Sequence, residues 1–202
     1  MRRVVPLIMV AVLAGCAAVP RVAPVTGAQV DPLQVTDWTA TGRLAIAVGP
    51  EGGSGSFTWL QHGGTTDLQV RGPLGAGSMR IVTDGQAVTV TDANGLSVDT
   101  AAARTQIRAR LGTDLPLAEM RYWMLGLTAP GSVAQVGASE IDSSRVIDQG
   151  GWTVSYDPFS TAHGWSVPAR LTVTNGAARI KVVVDDWHLP AAVPAKPGVP
   201  PP

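Results

Sequence analysis

The stretch Ser56-Phe57-Thr58-Trp59-Leu60-Gln61-His62-Gly63-Gly64-Thr65-Thr66-Asp67-Leu68-Gln69-Val70-Arg71 decides the architecture. Phe57 and Trp59 alternate with Ser56, Thr58 and Leu60. Leu68 and Val70 alternate with Asp67, Gln69 and Arg71. Successive strand side chains point to opposite faces, so each run offers one apolar face to a core. Gly63-Gly64 supplies the positive φ angles of a tight hairpin turn. The segment therefore reads as two antiparallel neighbours with one covered face.

The same two-residue period runs outward in both directions. Leu44, Ile46 and Val48 show it, as do Val88 and Val90, Leu171 and Val173, and Ile180, Val182 and Val184. Asp84-Gly85, Asn94-Gly95 and Asn175-Gly176 separate the runs as further hairpin turns. Sequential strands are expected to neighbour one another in a meander. Two segments break the period. Over Thr100 to Leu111, a run of three alanines is followed by Ile107 and Leu111 four apart, with Gly112 as a stop and Asp99 or Thr100 as N-cap. Pro116 suits the first position of a second helix, over which Leu117, Met120, Trp123, Met124 and Leu127 form a wide apolar stripe. The expectation is a curled antiparallel sheet of the mainly β class, closing or half-closing, with helices inserted after about six strands. An insertion of that size could cover the mouth.

The N-terminus carries a different message. Arg2 and Arg3 precede an apolar run, Val4 to Val12, and then Leu13-Ala14-Gly15-Cys16, which holds the only cysteine. Crossing a bilayer takes about 20 apolar residues, so this run is too short. Small residues before a lone cysteine read as a lipobox, cut before Cys16 and lipidated on its sulfur; a plain signal peptide with an accidental cysteine is the alternative. On the lipobox reading residues 1–15 are signal. Residues 16–34, with Pro20, Pro24, Gly27 and Pro32, are the lipidated cysteine and a tether. Residues 35–189 are the folded domain, and 190–202, with six prolines, a disordered tail. A covalent diacylglycerol and an N-acyl chain on Cys16 would be the anchor, since two or more chains hold firmly at roughly 0.8 kcal/mol per buried methylene. No further cofactor is expected.

Charge and chemistry narrow the classes. The chain has 15 basic and 15 acidic residues, and 13 against 15 once Arg2 and Arg3 are removed. Nucleic acid exerts no evident pull on it. With Cys16 lipidated, neither a disulfide nor a thiolate metal site is available. His62, His163 and His188 are dispersed without ligand spacing. Asp185 and Asp186 point to opposite faces of a strand. No serine stands in a Gly-x-Ser-x-Gly context. Gly72-Pro73-Leu74-Gly75-Ala76-Gly77 lacks the Gly-Lys-Ser/Thr ending of a phosphate loop. No metal site and no enzyme activity is expected.

Two features stay open at this level. Leu74 is the one large apolar side chain in a turn fixed by Pro73 and Gly75; it either folds back onto the core or forms an exposed apolar tip that touches lipid. The Met and Trp stripe of the second helix is either ordinary core or a lid over an apolar cavity, a role that suits adaptable methionine. Trp38, Trp59, Trp123, Trp152, Trp165 and Trp187 fit either a large core or a pocket. Arg104 and Arg108 form a solvated face or meet an acidic partner.

Taken in order, Trp38 with Gly42-Arg43-Leu44, Phe57-Thr58-Trp59-Leu60-Gln61, Gly72-Pro73-Leu74-Gly75, Leu111-Gly112-Thr113-Asp114-Leu115-Pro116-Leu117 and Tyr122-Trp123-Met124-Leu125-Gly126-Leu127 resemble the LolB family of outer-membrane lipoproteins. Gln149-Gly150-Gly151-Trp152 with Tyr156, Pro168-Ala169-Arg170-Leu171 and Ile180-Lys181 leading to Trp187 extend the resemblance over about 38–187. It implies an incomplete, half-open antiparallel β-barrel with an inserted helical lid around a cavity for acyl chains. It implies a receptor that accepts triacylated lipoproteins from the periplasmic carrier LolA and inserts them into the outer membrane. Ala17 after the cysteine matches the family's sorting to that membrane, anchored by lipid and facing the periplasm, as a monomer. In the family, an exposed leucine in the loop before a strand serves membrane insertion of cargo; here it maps onto Leu74, flanked by Pro73 and Gly75. Phe57, Trp59, Leu68, Val70, Met120, Trp123, Met124 and Leu127 are expected to line or cover the cavity. The proline-rich tail departs from the family pattern. A structural lipoprotein that scaffolds an outer-membrane assembly is the alternative, and it would need no cavity.

Overall fold

The computed structural model describes residues 35–73, 77–111, 114–138, 144–157, 159–176 and 178–190. The expected signal, Cys16, the tether, Leu74, Gly75 and all of the tail but Pro190 lie outside them.

The first six strands are β1 (Asp37–Val48), β2 (Glu51–His62), β3 (Thr65–Arg71), β4 (Met79–Thr83), β5 (Val88–Asp92) and β6 (Ser97–Val98). Two helices follow, α1 (Thr100–Leu111) and α2 (Leu117–Trp123). The remaining strands are β7 (Ala134–Ala138), β8 (Arg145–Gln149), β9 (Trp152–Tyr156), β10 (Phe159–Ala162), β11 (Trp165–Pro168), β12 (Arg170–Asn175) and β13 (Ala178–His188). Eleven of the strands form one sheet in the order β6-β5-β4-β3-β2-β1-β13-β12-β9-β8-β7. Every pairing in it is antiparallel. Its outer strands, β6 and β7, do not pair, so the sheet stays open rather than closing into a barrel.

β1 to β6 form the expected meander, and the helices do follow six strands. Sequential pairing fails later. β13 returns to pair with β1, and β10–β11 form a separate hairpin, leaving β12 beside β9. No local period encodes either event, because both are matters of long-range partner choice. The register of β1 against β13 shifts between Thr41 and Gly42. A side chain at Gly42 would place its Cβ 2.1 Å from the Val183 carbonyl and 3.0 Å from the Phe57 ring, so only glycine fits this kink.

α1 keeps its expected bounds. Ala103 and Ile107 face the sheet, while Arg104 and Arg108 lie outside. Arg104 donates to the Gln86 carbonyl at 3.3 Å. Arg108 donates from Nε to Asp114 at 3.1 Å, which ties the end of α1 to the approach of α2 and holds the Asp114 carboxyl below its usual range. Thr100 accepts from the Val88 N–H at 3.1 Å, and so fastens α1 to β5.

α2 is shorter than its apolar stripe suggested. Gly126 adopts φ +77°; its N–H bonds the Trp123 carbonyl at 2.9 Å and the Leu127 N–H bonds that of Tyr122 at 3.0 Å. This is a Schellman termination. A Cβ on Gly126 would lie 2.6 Å from the Phe159 ring, so the stop is fixed by packing as well as by φ. Leu127 therefore leaves the helix instead of completing the stripe.

The two halves of the sheet are filled differently. Over β8, β9 and β12, Ile147, Val154, Tyr156 and Val173 are fully buried, and the Tyr156 hydroxyl reaches the Trp123 carbonyl at the end of α2. At the start of the sheet, Trp38 stacks on Trp59 with centroids 5.7 Å apart and meets Trp187 at 5.4 Å. Over β1 to β5 and β13, space remains between the sheet and the helices.

Candidate functional site

That space is an apolar cavity of about 420 Å³. Its floor is the inner face of the sheet: Leu44, Ile46 and Val48 of β1, Phe57 and Trp59 of β2, Leu68 and Val70 of β3, Met79 and Ile81 of β4, Val90 of β5, and Ile180 and Val182 of β13. Its roof is Ile107 and Ala109 of α1, Leu115, Met120 of α2, and Met124 just beyond it. The period of two in the strands and the i, i+4 spacing in α2 place these residues on facing surfaces.

The cavity has a closed and an open end. Trp59, Leu68, Ile81, Val90, Met120 and Met124 are buried. Leu44, Ile46, Val48, Val70 and Met79 are half-buried, and Glu51, Gly52 and Gly53 are exposed. The mouth therefore lies at the β1–β2 hairpin. Val70 and Met79 are register partners, the last pair before the β3–β4 loop, and both line the mouth. Pro73, exposed, opens that loop. Leu74 and Gly75 are outside the described residues.

Six of the eight expected lining residues border this space: Phe57, Trp59, Leu68, Val70, Met120 and Met124. Trp123 and Leu127 do not. The Trp123 indole is fully buried on the packed side, where its N–H donates to Gln149 Oε1 at 2.9 Å. Its carbonyl accepts from the Tyr156 hydroxyl at 3.0 Å, and burial pushes that phenol's pKa up. Leu127, carried off the helix by Gly126, lines a separate cavity with Trp38, Gln61, Arg121 and Tyr122. Met120 and Met124 cover the cavity, and Trp123 anchors the cover to the core. Leu44, Ile46, Val48, Val90, Ile180 and Val182 line it too, at core-facing positions of the same alternation, whereas Met79, Ile81, Ala109 and Leu115 carry no such signal in the sequence.

Two buried amides set the geometry. Gln149 is 2% exposed and also accepts from the Ala129 N–H at 2.9 Å, while its Nε2 donates to the Ala129 carbonyl at 2.7 Å and Ser132 Oγ at 2.9 Å. Gln61 accepts from the Trp59 indole at 3.2 Å and from the Thr66 hydroxyl at 2.7 Å, so the one tryptophan lining the cavity has its polar atom satisfied away from it.

The titratable groups elsewhere are dispersed. His62 pairs with Asp37, His188 with Asp186 at 3.3 Å, and Asp185 with Arg43 at 2.9 Å. Among the described residues no group of three or more histidine, cysteine, aspartate or glutamate side chains is placed to hold a metal ion. Among them, too, no helix is long and apolar enough to cross a membrane. Volume and lining suit a flexible apolar ligand: small-molecule pockets typically span roughly 300–1,000 Å³.

Comparison with known proteins follows the same lines. The family model described as outer membrane lipoprotein LolB matches residues 36–187. An outer-membrane lipoprotein LolB of Alkalilimnicola ehrlichii is 34% identical over 155 residues, covering 76% of this chain and 78% of the relative. One of Pseudomonas fluorescens is 27% identical over 197 residues, covering 93% and 96%. The crystal structure of a DUF1329 family protein from Desulfovibrio piger shares the fold at TM-score 0.50 and 8% identity, over 79% of this chain and 88% of that one.

Proposed function

The chain belongs to the LolB family of outer-membrane lipoproteins, and from that membership we propose that it accepts lipoproteins from the periplasmic carrier LolA, shelters their acyl chains, and inserts them into the outer membrane. The observation that carries this reading is the apolar cavity under α1 and α2, open at the β1–β2 hairpin. Three acyl chains hold on the order of 45 methylenes, so exposing them to water costs tens of kcal/mol at roughly 0.8 each. A receptor must replace that lost contact, and a methionine roof adapts to chains of varying shape.

The chain carries no nucleotide-binding motif, so handover runs downhill: the cavity holds the chains better than the carrier does, and the bilayer better still. Signal removal before Cys16, with a diacylglycerol and an N-acyl chain on its sulfur, would hold the domain at the outer membrane, facing the periplasm. The tether 16–34 would set its reach, and the protein would act as a monomer without enzyme activity. Val70 and Met79 flank the loop that carries Pro73, Leu74 and Gly75 in sequence and border the mouth, which supports an exit of chains beside that loop. Leu74 is proposed to disturb the lipid leaflet there.

The test is transfer of a labelled triacylated lipoprotein from purified carrier to this protein in vesicles. Transfer into the membrane is expected for the native chain. Leu74→Glu is expected to take cargo but to release it poorly. Normal delivery by that variant would remove Leu74 from the mechanism. Failure of the native chain to take any cargo would remove the receptor role.

A further inference from the structure

This inference deepens the acyl-chain reading and rests on it. A protein anchored in a bilayer and holding an apolar cavity meets phospholipid far more often than lipoprotein, and both carry the same kind of chain. The cavity wall cannot separate them, because methylenes are alike. Discrimination has to act on what joins the chains, and that group comes to rest at the mouth.

The mouth is electrostatically one-sided. Among the described residues Glu51 is the one ionisable side chain lining the cavity, and no cation lines it. It stands at the start of β2 on the inner face, in phase with Phe57 and Trp59, and forms no ion pair among the described residues. The strands around the mouth do carry cations. Arg43, Arg71, Arg80, Arg179 and Lys181 are each exposed and each adjacent in sequence to a residue that lines the cavity. Strand side chains alternate, so all five stand on the opposite face. Arg43 and Arg80 are further held there by Asp185 and Asp67.

From this sorting of charge we infer that Glu51 is a specificity residue that excludes anionic phospholipid from the cavity. A phosphodiester joined to chains in the cavity sits beside a carboxylate, with no cation among the described lining residues to meet it. The lipidated cysteine of a triacylated protein offers only thioether, ester and amide groups at the same place and carries no charge to repel. Selection acts through a repulsive element against the competitor rather than through an added attraction for the cargo.

Trp59 is the one tryptophan lining the cavity and reports directly on chain entry. The full-length protein is reconstituted in phosphatidylcholine vesicles doped with brominated-chain phosphatidylglycerol or brominated-chain diacylglycerol. The quenching lost in Trp59→Phe is then read for each lipid. Diacylglycerol is expected to quench more than phosphatidylglycerol in the native protein. In Glu51→Gln the ratio of phosphatidylglycerol to diacylglycerol quenching should rise about threefold, the Coulomb effect of two unit charges about 6 Å apart in water. Glu51→Lys should raise it further, and high salt should shrink both changes. Equal quenching by the two lipids in the native protein, or a ratio unmoved by both substitutions, overturns the role of Glu51. Quenching by neither lipid overturns the acyl-chain cavity itself, and the role of Glu51 with it.

Discussion

Replacing Gln149 with leucine isolates what one buried amide contributes to the roof. The two side chains are close in volume, so the change is chemical rather than a cavity. In the native protein the amide serves the Trp123 indole N–H and both backbone groups of Ala129. Trp123 and Ala129 are 0% and 5% exposed, so water does not reach these groups without local opening. Ser132 is exposed and turns to solvent. The variant therefore strands three polar groups, at about 1–3 kcal/mol each. Neighbouring losses do not add in full, because one entering water can serve two of them, so the lower end, about 3 kcal/mol, is expected. For a domain of this size that corresponds to a fall in Tm of roughly 6–12 °C. Urea and thermal unfolding, followed by tryptophan fluorescence and far-ultraviolet dichroism, give both numbers. A loss below about 1 kcal/mol with an unchanged urea slope would refute the reasoning, since Trp123 would then hold its place without the amide.

Gly126→Ala should cost about 1–3 kcal/mol, because alanine at φ +77° is strained and its Cβ strikes the Phe159 ring; equal urea midpoints would contradict this. Tyr156 gives an alkaline signature. Its pKa is raised by burial, so the native state keeps the proton after the unfolded chain begins to lose it near pH ~10. Its contribution is complete below that pH and declines as pH rises toward the native value. Stability of the native protein should fall more steeply above pH ~10 than that of Tyr156→Phe, and parallel curves would contradict the assignment.

The hairpins were legible because their signals are local. Alternation at Phe57, Trp59, Leu68 and Val70, with Gly63-Gly64 between the runs, specifies neighbours a few residues apart. The return of β13 to β1 leaves no such mark, because pairing across the whole chain depends on which edge is free once the sheet has curled. The roof was half legible. Met120 and Met124 face the cavity as their spacing required, but the stripe continued past the residue at which Gly126 stops the helix, which misplaced Leu127. Trp123 has the same spacing and the same hydrophobicity as its neighbours. Only its indole N–H and a glutamine 26 residues away put it in the core instead of the cavity. Gln149 itself carries no local signal, because a polar residue at the end of a short strand reads as solvent-facing.

The most direct measurement places one photo-crosslinking residue, p-benzoylphenylalanine, at Ile46 and, in a second protein, at Ala45. These neighbours in β1 share their surroundings, but Ile46 lines the mouth while Ala45 faces away from it. With acyl-labelled lipoprotein delivered by the carrier, illumination should join cargo to position 46 and leave position 45 free. Capture at position 45 as strong as at 46, or at neither while cargo is bound, would show that the chains travel by another surface.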